Sequence, residues 1–499
     1  MNRRNFMKSS VAAAVALSFH QNLVLAATAD GGSEVGADVQ AMTGDGSEVI
    51  LSRSSVQDLA DSLRGNLFLP GSDAYEKARQ VINPHVDKFP ALVVQPRSPA
   101  DVQKAVQYAS QENLLTAVKC GGHAFSGLST CQGGMQIDLS LMRYVRVDPV
   151  RKTAWVAGGS LLGEMDYESM AHGLVTTAGT VSHTGVGGLT LGGGYGRLAR
   201  RFGLTIDSLL SVDIVTADGK LRRASRHDNP DLFWAVRGGG GNFGIVTAFE
   251  FQLHPMQRQV IAGRYMFPFE RRQEMLQFSS EFASSAPDDL LVGQFIGAFP
   301  GGNNVAVIGV VYSGPQERAD GLLAPIEKFG PVGNTVKSWD YVELQRSGDF
   351  GDDDRANGSY MKSGFIDQIS DDLISDLVET FEPNPNRSIW MSFGHGGGAI
   401  SRVPNDATAF PSRSPEFNLL SFVGWPMGAD PEPHLEYMRQ QWTHMAPYTD
   451  GFYVNDLGEE TQAQVDSNYG DNLPRLVQVK NQYDPGNLFR LNANVKPTV

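Results

Sequence analysis

The side chains with chemical potential in this sequence gather around glycine. An imidazole, His123, sits in Val118-Lys119-Cys120-Gly121-Gly122-His123-Ala124-Phe125-Ser126-Gly127. A phenol, Tyr195, sits in a second run, Gly192-Gly193-Gly194-Tyr195-Gly196, and a third run spans Gly238 to Gly241 and continues as Asn242-Phe243-Gly244. Glycine leaves backbone N–H groups bare, so chain can lie close against a phosphate or a flat ligand. A lone histidine beside glycine is more often a turn or core residue, and a lone tyrosine more often packs; only their setting can favour chemistry.

The elements around them follow from periodicity. Ala91 to Gln95 and Leu114 to Lys119 read as short buried strands, with a helix between them that starts at Ser98-Pro99-Ala100-Asp101 and is apolar at Val102, Ala105, Val106 and Ala109. This βαβ start delivers its second strand straight into the His123 loop. Strand-like runs follow at Met135 to Leu139, Tyr144 to Val147 and Thr153 to Ala157, then a helix from Leu162 to His172. A hairpin turns at Asp218-Gly219 between Ser211–Ala217 and Lys220–Ala224, and a short helix from Asp231 to Arg237 precedes a strand from Gly244 to Leu253. Beyond Pro255 longer alternating runs, such as Val305 to Tyr312, Ile389 to Phe393 and Phe417 to Val423, alternate with helical stretches. That texture predicts an antiparallel sheet backed by helices. The Gly-, Ser- and Asp-rich stretch 30–55 reads as a flexible arm.

Two matches to the dinucleotide fingerprint carry little weight. Gly194-Tyr195-Gly196-Arg197-Leu198-Ala199 is entered by a polar, glycine-broken segment, and Gly239-Gly240-Gly241-Asn242-Phe243-Gly244 has a helix before it and a strand after it. The fingerprint needs a strand in and a helix out. His395-Gly396-Gly397-Gly398 is similar to a lipase oxyanion loop, but the chain has no G-x-S-x-G elbow, so a turn or tight strand packing is the better reading.

Bulk properties exclude other classes. The chain has 499 residues, enough for two lobes, and acids exceed bases 55 to 41 for a net charge of -14. Nucleic acid is thereby an unsuitable partner. The ten histidines and two cysteines, Cys120 and Cys131, form no His-Glu-x-x-His or Cys-x-x-Cys cluster, so no metal is expected, and whether the cysteines pair is open. Arg3-Arg4 precede an apolar run from Val11 to Phe19 and a small-residue site at Ala27-Thr28-Ala29. Residues 1–29 read as a twin-arginine export signal, which makes the twin-arginine machinery a partner and the destination periplasmic or extracellular. No segment is long enough to be a stable membrane anchor.

Taken together, the glycine loops resemble those of the berberine bridge enzyme-like flavin oxidases, of the vanillyl-alcohol-oxidase or PCMH type. The His123 loop resembles their pyrophosphate loop, Thr184 to Gly196 their second flavin loop, and Asp231 to Gly244 their third. Asn468-Tyr469-Gly470, Arg475-Leu476, Lys480, Tyr483-Asp484-Pro485 and Asn487-Leu488-Phe489 are similar to the family's C-terminal segment. The resemblance implies an α+β fold: a PCMH-type FAD-binding domain of two α/β subdomains, plus a substrate domain with an antiparallel sheet backed by helices. The expected division is an arm and lead-in over 30–87, the FAD domain over 88–255, the substrate domain over 256–454, and a segment over 455–499 that completes the FAD domain.

It also implies FAD, bound covalently through one histidine, His123. The positions that match flavin contacts are Lys119, Cys120, Gly121, Gly122, Ala124, Phe125 and Gly127 in the first loop, and Thr184, Gly185, Gly187, Gly188, Leu189, Gly192, Gly193, Gly194 and Gly196 in the second. Gly241, Asn242, Gly244, Ile245 and Val246 match in the third loop, and Asn455 near the end. The family's second, cysteinyl anchor falls on Val181, so one bond is expected. A histidyl link raises the flavin potential and keeps the cofactor on an exported protein. The resemblance makes Tyr195 the first candidate base and Tyr453 a pocket residue, with Tyr195 as packing held nearly equal. Phe422 stands where the berberine bridge enzyme has a glutamate base, and Leu189 where many plant relatives have histidine. Thr184 matches an oxygen-gating position and is small. The implied function is an oxidase that takes hydride from a CH–OH or CH–NH carbon of a small organic substrate and passes electrons to O2, giving H2O2. A dehydrogenase or secondary-metabolite tailoring oxidase with another acceptor, and a flavin binder without turnover, stay open.

Overall fold

The computed structural model describes residues 35–350 and 357–499; the expected export signal at 1–29 lies outside them. Three sheets organise the chain. In the first, Leu92–Gln95, Met135–Asp138 and Thr116–Lys119 run parallel, with Asn66–Phe68 antiparallel at the far edge. The helix Pro99–Gln111 makes the crossover. Ser98 caps it by accepting from the Asp101 N–H, and Val102, Ala105, Val106 and Ala109 are buried on its inner face. Thr116–Lys119 is an edge strand, and its end releases the chain directly into Cys120-Gly121-Gly122-His123.

The second sheet is antiparallel, in the order Leu221–Ser225, Leu209–Val215, Ile245–Gln252, Thr153–Ala157, Val145–Asp148. Its first two strands form the expected hairpin, with Val215 opposite Leu221 and Gly219 at φ +70° in the turn. The third sheet is the largest and wholly antiparallel, and includes Gln259–Phe267, Asn303–Tyr312, Leu290–Phe299, Ser388–His395, Phe417–Pro426 and Asn357–Ile366.

Alternation gives this third sheet two different faces. Phe417 and Leu419 point into a core shared with Met275, Leu276, Leu373 and Met438 of the backing helices Arg272–Ser284, Asp371–Thr380 and Glu432–Met445. Asn418, Leu420 and Phe422, one residue out of phase, line a cavity on the other face. The chain then returns: Leu476, Val479 and Tyr483 of the helix Leu473–Tyr483 pack into the core of the second sheet.

The stretch expected as a flexible arm is folded from Val35 onward. Val39–Met42 and Glu48–Leu51 form a hairpin, and Ser52 caps the helix Arg53–Ser62. Its glycines, serines and acids serve turn geometry rather than a linker. Thr43 Oγ1 donates to Asp45 and to the Ser47 carbonyl, Gly46 takes φ +88°, and the Met42 N–H anchors the hairpin to the Gly133 carbonyl. The second glycine loop also differs from the sequence reading, since a short helix, Val186–Leu191, lies inside it.

Candidate functional site

One cavity of about 960 Å3 runs between the three glycine loops and the open face of the large sheet. That volume sits at the upper end of the roughly 300–1,000 Å3 that ligand sites occupy. Cys120, Gly121, Gly122, His123, Ala124 and Phe125 line it from the first loop. Thr184, Gly185, Gly187, Gly188, Leu189, Tyr195 and Gly196 line it from the second, and Gly241, Gly244, Ile245 and Val246 from the third. Tyr453 and Asn455 close it from the returning segment.

The first two loops meet backbone to backbone. A Cβ added at Gly121 would lie 2.3 Å from the Gly185 N, and one at Gly185 2.4 Å from the Gly121 N. No other residue permits that approach. Cys120 Sγ lies against Gly185, and both cysteines are free. Burial pushes the Cys120 thiol up to about 11, which leaves it un-ionised and a poor nucleophile.

Contact between these loops places His123 against the second loop. His123 Nε2 lies 2.6 Å from His183 Nδ1, and His123 Nδ1 lies 3.3 Å from Thr184 Oγ1. Burial, and then the neighbouring imidazole, lower the His123 pKa to about 3. The ring is therefore neutral at ordinary pH, the form in which an imidazole nitrogen is a nucleophile.

Several residues matched to flavin contacts do not line the cavity. Lys119 turns away to the Ala78 and Gln80 carbonyls and to Asp138 at 3.4 Å. Gly127 offers its carbonyl to Lys88 Nζ. Gly192 and Gly193 pack beside Asn455 and Phe410. The Asn242 side chain donates to the Gly239 and Ala493 carbonyls and accepts from the Val495 N–H, so it ties the third loop to the C-terminal segment. A buried amide with all its polar groups paired within the protein has none left for a ligand.

The two tyrosines differ in their surroundings. Tyr195 sits among the rings of Phe365, Phe410 and Tyr453, and burial raises its phenol far above the ordinary range. The Tyr453 oxygen receives N–H groups from Gly194 at 3.0 Å, Tyr195 at 3.4 Å and Asn455 Nδ2 at 2.7 Å. Three donors suit an oxygen that carries negative charge, since a neutral phenol offers two lone pairs and keeps its own proton. Burial and the nearby Asp456 nevertheless push its pKa up to about 12. Gly194 reaches the site only through this N–H. Asn455 also donates to the Leu189 carbonyl at 3.0 Å, which braces the second loop.

The cavity also holds residues that the sequence reading passed over. Asp456, one position beyond Asn455, lines the cavity, and Asn418 Nδ2 donates to its Oδ2 at 3.5 Å. Burial holds this carboxyl up at about 6, so it gains and loses its proton near neutrality. A carboxylate is absent at Phe422, but the fold supplies one from another element. Phe422 instead stacks on Trp390, with centroids 4.8 Å apart and planes at 11°, as an aromatic shelf on the sheet. The run Tyr453-Val454-Asn455-Asp456 was the available signal for the acid; for His183 it was adjacency to Thr184.

The residues present fit a large flat nucleotide cofactor. A Cβ at Gly188 would meet nothing within 4 Å, and one at Gly241 only Asn492 Nδ2 at 3.9 Å, so bare backbone faces open cavity space. A profile described as an FAD binding domain matches residues 90–225, and one described as berberine and berberine like matches 452–496. An FAD-linked oxidoreductase of Dictyostelium discoideum is 33% identical over 450 residues, covering 89% of this chain and 97% of its own. The solved 6-hydroxy-D-nicotine oxidase of Arthrobacter nicotinovorans superposes with a TM-score of 0.78 at 26% identity, over 87% of this chain and 98% of its own. The glucooligosaccharide oxidase of Acremonium strictum, described with a 6-S-cysteinyl, 8α-N1-histidyl FAD, gives 0.79 at 26%, over 88% and 98%. This chain is an FAD-linked oxidoreductase of the berberine bridge enzyme-like family, with the PCMH-type fold.

Proposed function

We propose that the protein is an exported oxidase whose FAD is bonded to His123, and that it takes hydride from a CH–OH or CH–NH carbon of a small organic substrate, with O2 as acceptor and H2O2 as product. One observation carries this reading: a single cavity connects a neutral, half-buried imidazole to a half-buried carboxylate poised near neutrality. Bound flavin supplies the hydride acceptor. The chain must supply the rest.

Asp456 is the proposed base. A base works best when its pKa lies near the working pH, and Asp456 meets that condition better than a phenol at about 12. Asn418 orients the carboxylate, and Tyr453, with its three donors, holds a hydroxyl or amine of the substrate beside it. The Trp390–Phe422 shelf receives the apolar or ring face of the substrate and keeps water from it. Val181 lines the cavity where a second anchor would stand and has no nucleophile, so one bond is expected. The Arg3-Arg4 signal supports export, where a covalent cofactor cannot be lost by dilution.

Alcohols, aminated heterocycles and sugars mixed anaerobically with the purified protein test this reading. The flavin should bleach with one class, and admitting air should restore the colour with stoichiometric peroxide. Bleaching without reoxidation would replace O2 by another acceptor, and no bleaching with any compound would remove the substrate claim.

A further inference from the structure

His183 is absent from the chemistry so far, yet it touches the residue on which that chemistry depends. Its position is built rather than incidental. The Ser182 N–H donates to Asp349 Oδ1 at 2.6 Å, the Phe350 ring meets the His183 ring edge-on at 4.8 Å, and the Phe350 N–H donates to His183 Nε2 at 3.3 Å. An Nε2 that accepts carries no proton, so the neutral ring bears its proton on Nδ1. His183 Nδ1 therefore donates to His123 Nε2 across 2.6 Å.

We propose that His183 is a positioning residue: it reserves Nδ1 of His123 for the flavin, and its N–H goes on polarising the bonded imidazole, which raises the flavin's reduction potential. The inference rests on the reading that His123 carries FAD. In the bond-forming step, Nδ1 of His123 joins the 8α carbon. Nδ1 must first give up its proton, which leaves past Thr184 Oγ1, 3.3 Å away, to water, and one methyl proton leaves to water as well; the electron pair of that C–H bond remains on the ring system until dioxygen takes it, with two protons, as H2O2. An imidazole substituted at Nδ1 has no N–H left, and its Nε2 is purely an acceptor. The arrangement in the structure already complements that product, because the group facing Nε2 is a donor whose tautomer Phe350 sets. Donation to Nε2 draws electron density from the ring and hence from the isoalloxazine, the reverse of what acceptor partners do for metal-bound histidines, whose basicity they raise. It also prevents Nε2 from competing as the nucleophile.

The experiment compares His183→Asn, whose side-chain nitrogen overlays Nδ1, with His183→Gln, whose nitrogen overlays Nε2, and with His183→Ala. The readouts are flavin retained on the acid-denatured chain, the ring nitrogen substituted in the flavin peptide, and the two-electron potential of the bound flavin. The wild type and His183→Asn should share one Nδ1 linkage and one potential. His183→Gln and His183→Ala should lose about tenfold in the reduction equilibrium, a fall of ~30 mV, and should give mixed or slowed linkage. Wild-type potentials and linkage in His183→Ala would overturn the proposal, as would an equal fall in all three variants. A wild type that releases its flavin in acid would instead remove the reading on which the proposal rests.

Discussion

Replacing Asp456 by Asn tests the base with opposite signs in two assays. Burial holds the Asp456 carboxyl at about 6 against an ordinary 3.8. The group must be ionised to take a proton, so anaerobic flavin reduction in the wild type should rise about tenfold per pH unit up to about 6 and level above it. Asp456→Asn keeps the shape and removes the base. Reduction should fall about 10²- to 10⁴-fold, or ~3–5 kcal/mol of barrier, and the limb near pH 6 should vanish. Stability should move the other way. A carboxyl whose folded pKa lies above its unfolded one contributes fully below the unfolded value and loses that contribution as pH rises through the folded value. Two pH units at about 1.36 kcal/mol each make ionised Asp456 cost the fold roughly 3 kcal/mol above pH 6. Asp456→Asn should therefore unfold at a higher temperature than the wild type at pH 7.5, with the gap closing near pH 4. Stopped-flow reduction across pH and calorimetry at the two pH values read both effects. A variant reduced at the wild-type rate, or one that keeps the limb near pH 6, would refute the assignment.

Tyr453→Phe strips three N–H groups of their acceptor and should slow flavin reduction by about tenfold or more. Tyr195→Phe should change it less than about threefold, because the Tyr195 ring packs among Phe365, Phe410 and Tyr453 and that packing survives the change; a larger loss in Tyr195→Phe would make Tyr195 the leading residue. Thr184→Leu should slow reoxidation of the reduced enzyme by oxygen while leaving reduction by substrate nearly unchanged, and equal effects on both half-reactions would exclude a gate. Replacing Arg3 and Arg4 with lysines should strand folded, yellow protein in the cytoplasm; unchanged secretion would point to the general export route.

The first lobe was legible because its signals are local. The Ser98-Pro99 cap, the period of Val102 to Ala109 and the Asp218-Gly219 turn each specify an element without help from distant chain. The glycine loops were legible for the same reason, since Gly121 and Gly185 answer a backbone contact that no other residue allows. What escaped the sequence depends on tertiary placement. Asn242 and Asn455 are alike in composition, yet one is spent on the C-terminal segment and the other faces the cavity. His183 gains its meaning only when the second loop folds against the first. Asp456 reads as an ordinary surface acid until the return of the chain encloses it. The stretch after Val35 misled because Gly, Ser and Asp serve turns and linkers equally, and only the anchoring of Met42 to Gly133 decides between them.

The measurement that bears most directly on this account is the mass of the acid-denatured polypeptide, with mapping of its flavin peptide. The chain should be heavier by one FAD, with a single modified peptide containing His123 and no flavin on Cys120 or Cys131, and His123→Ala should release all its colour while still binding FAD before denaturation. A wild-type chain of unmodified mass with its flavin in the supernatant, or a doubly linked flavin peptide that includes a cysteine, would contradict it.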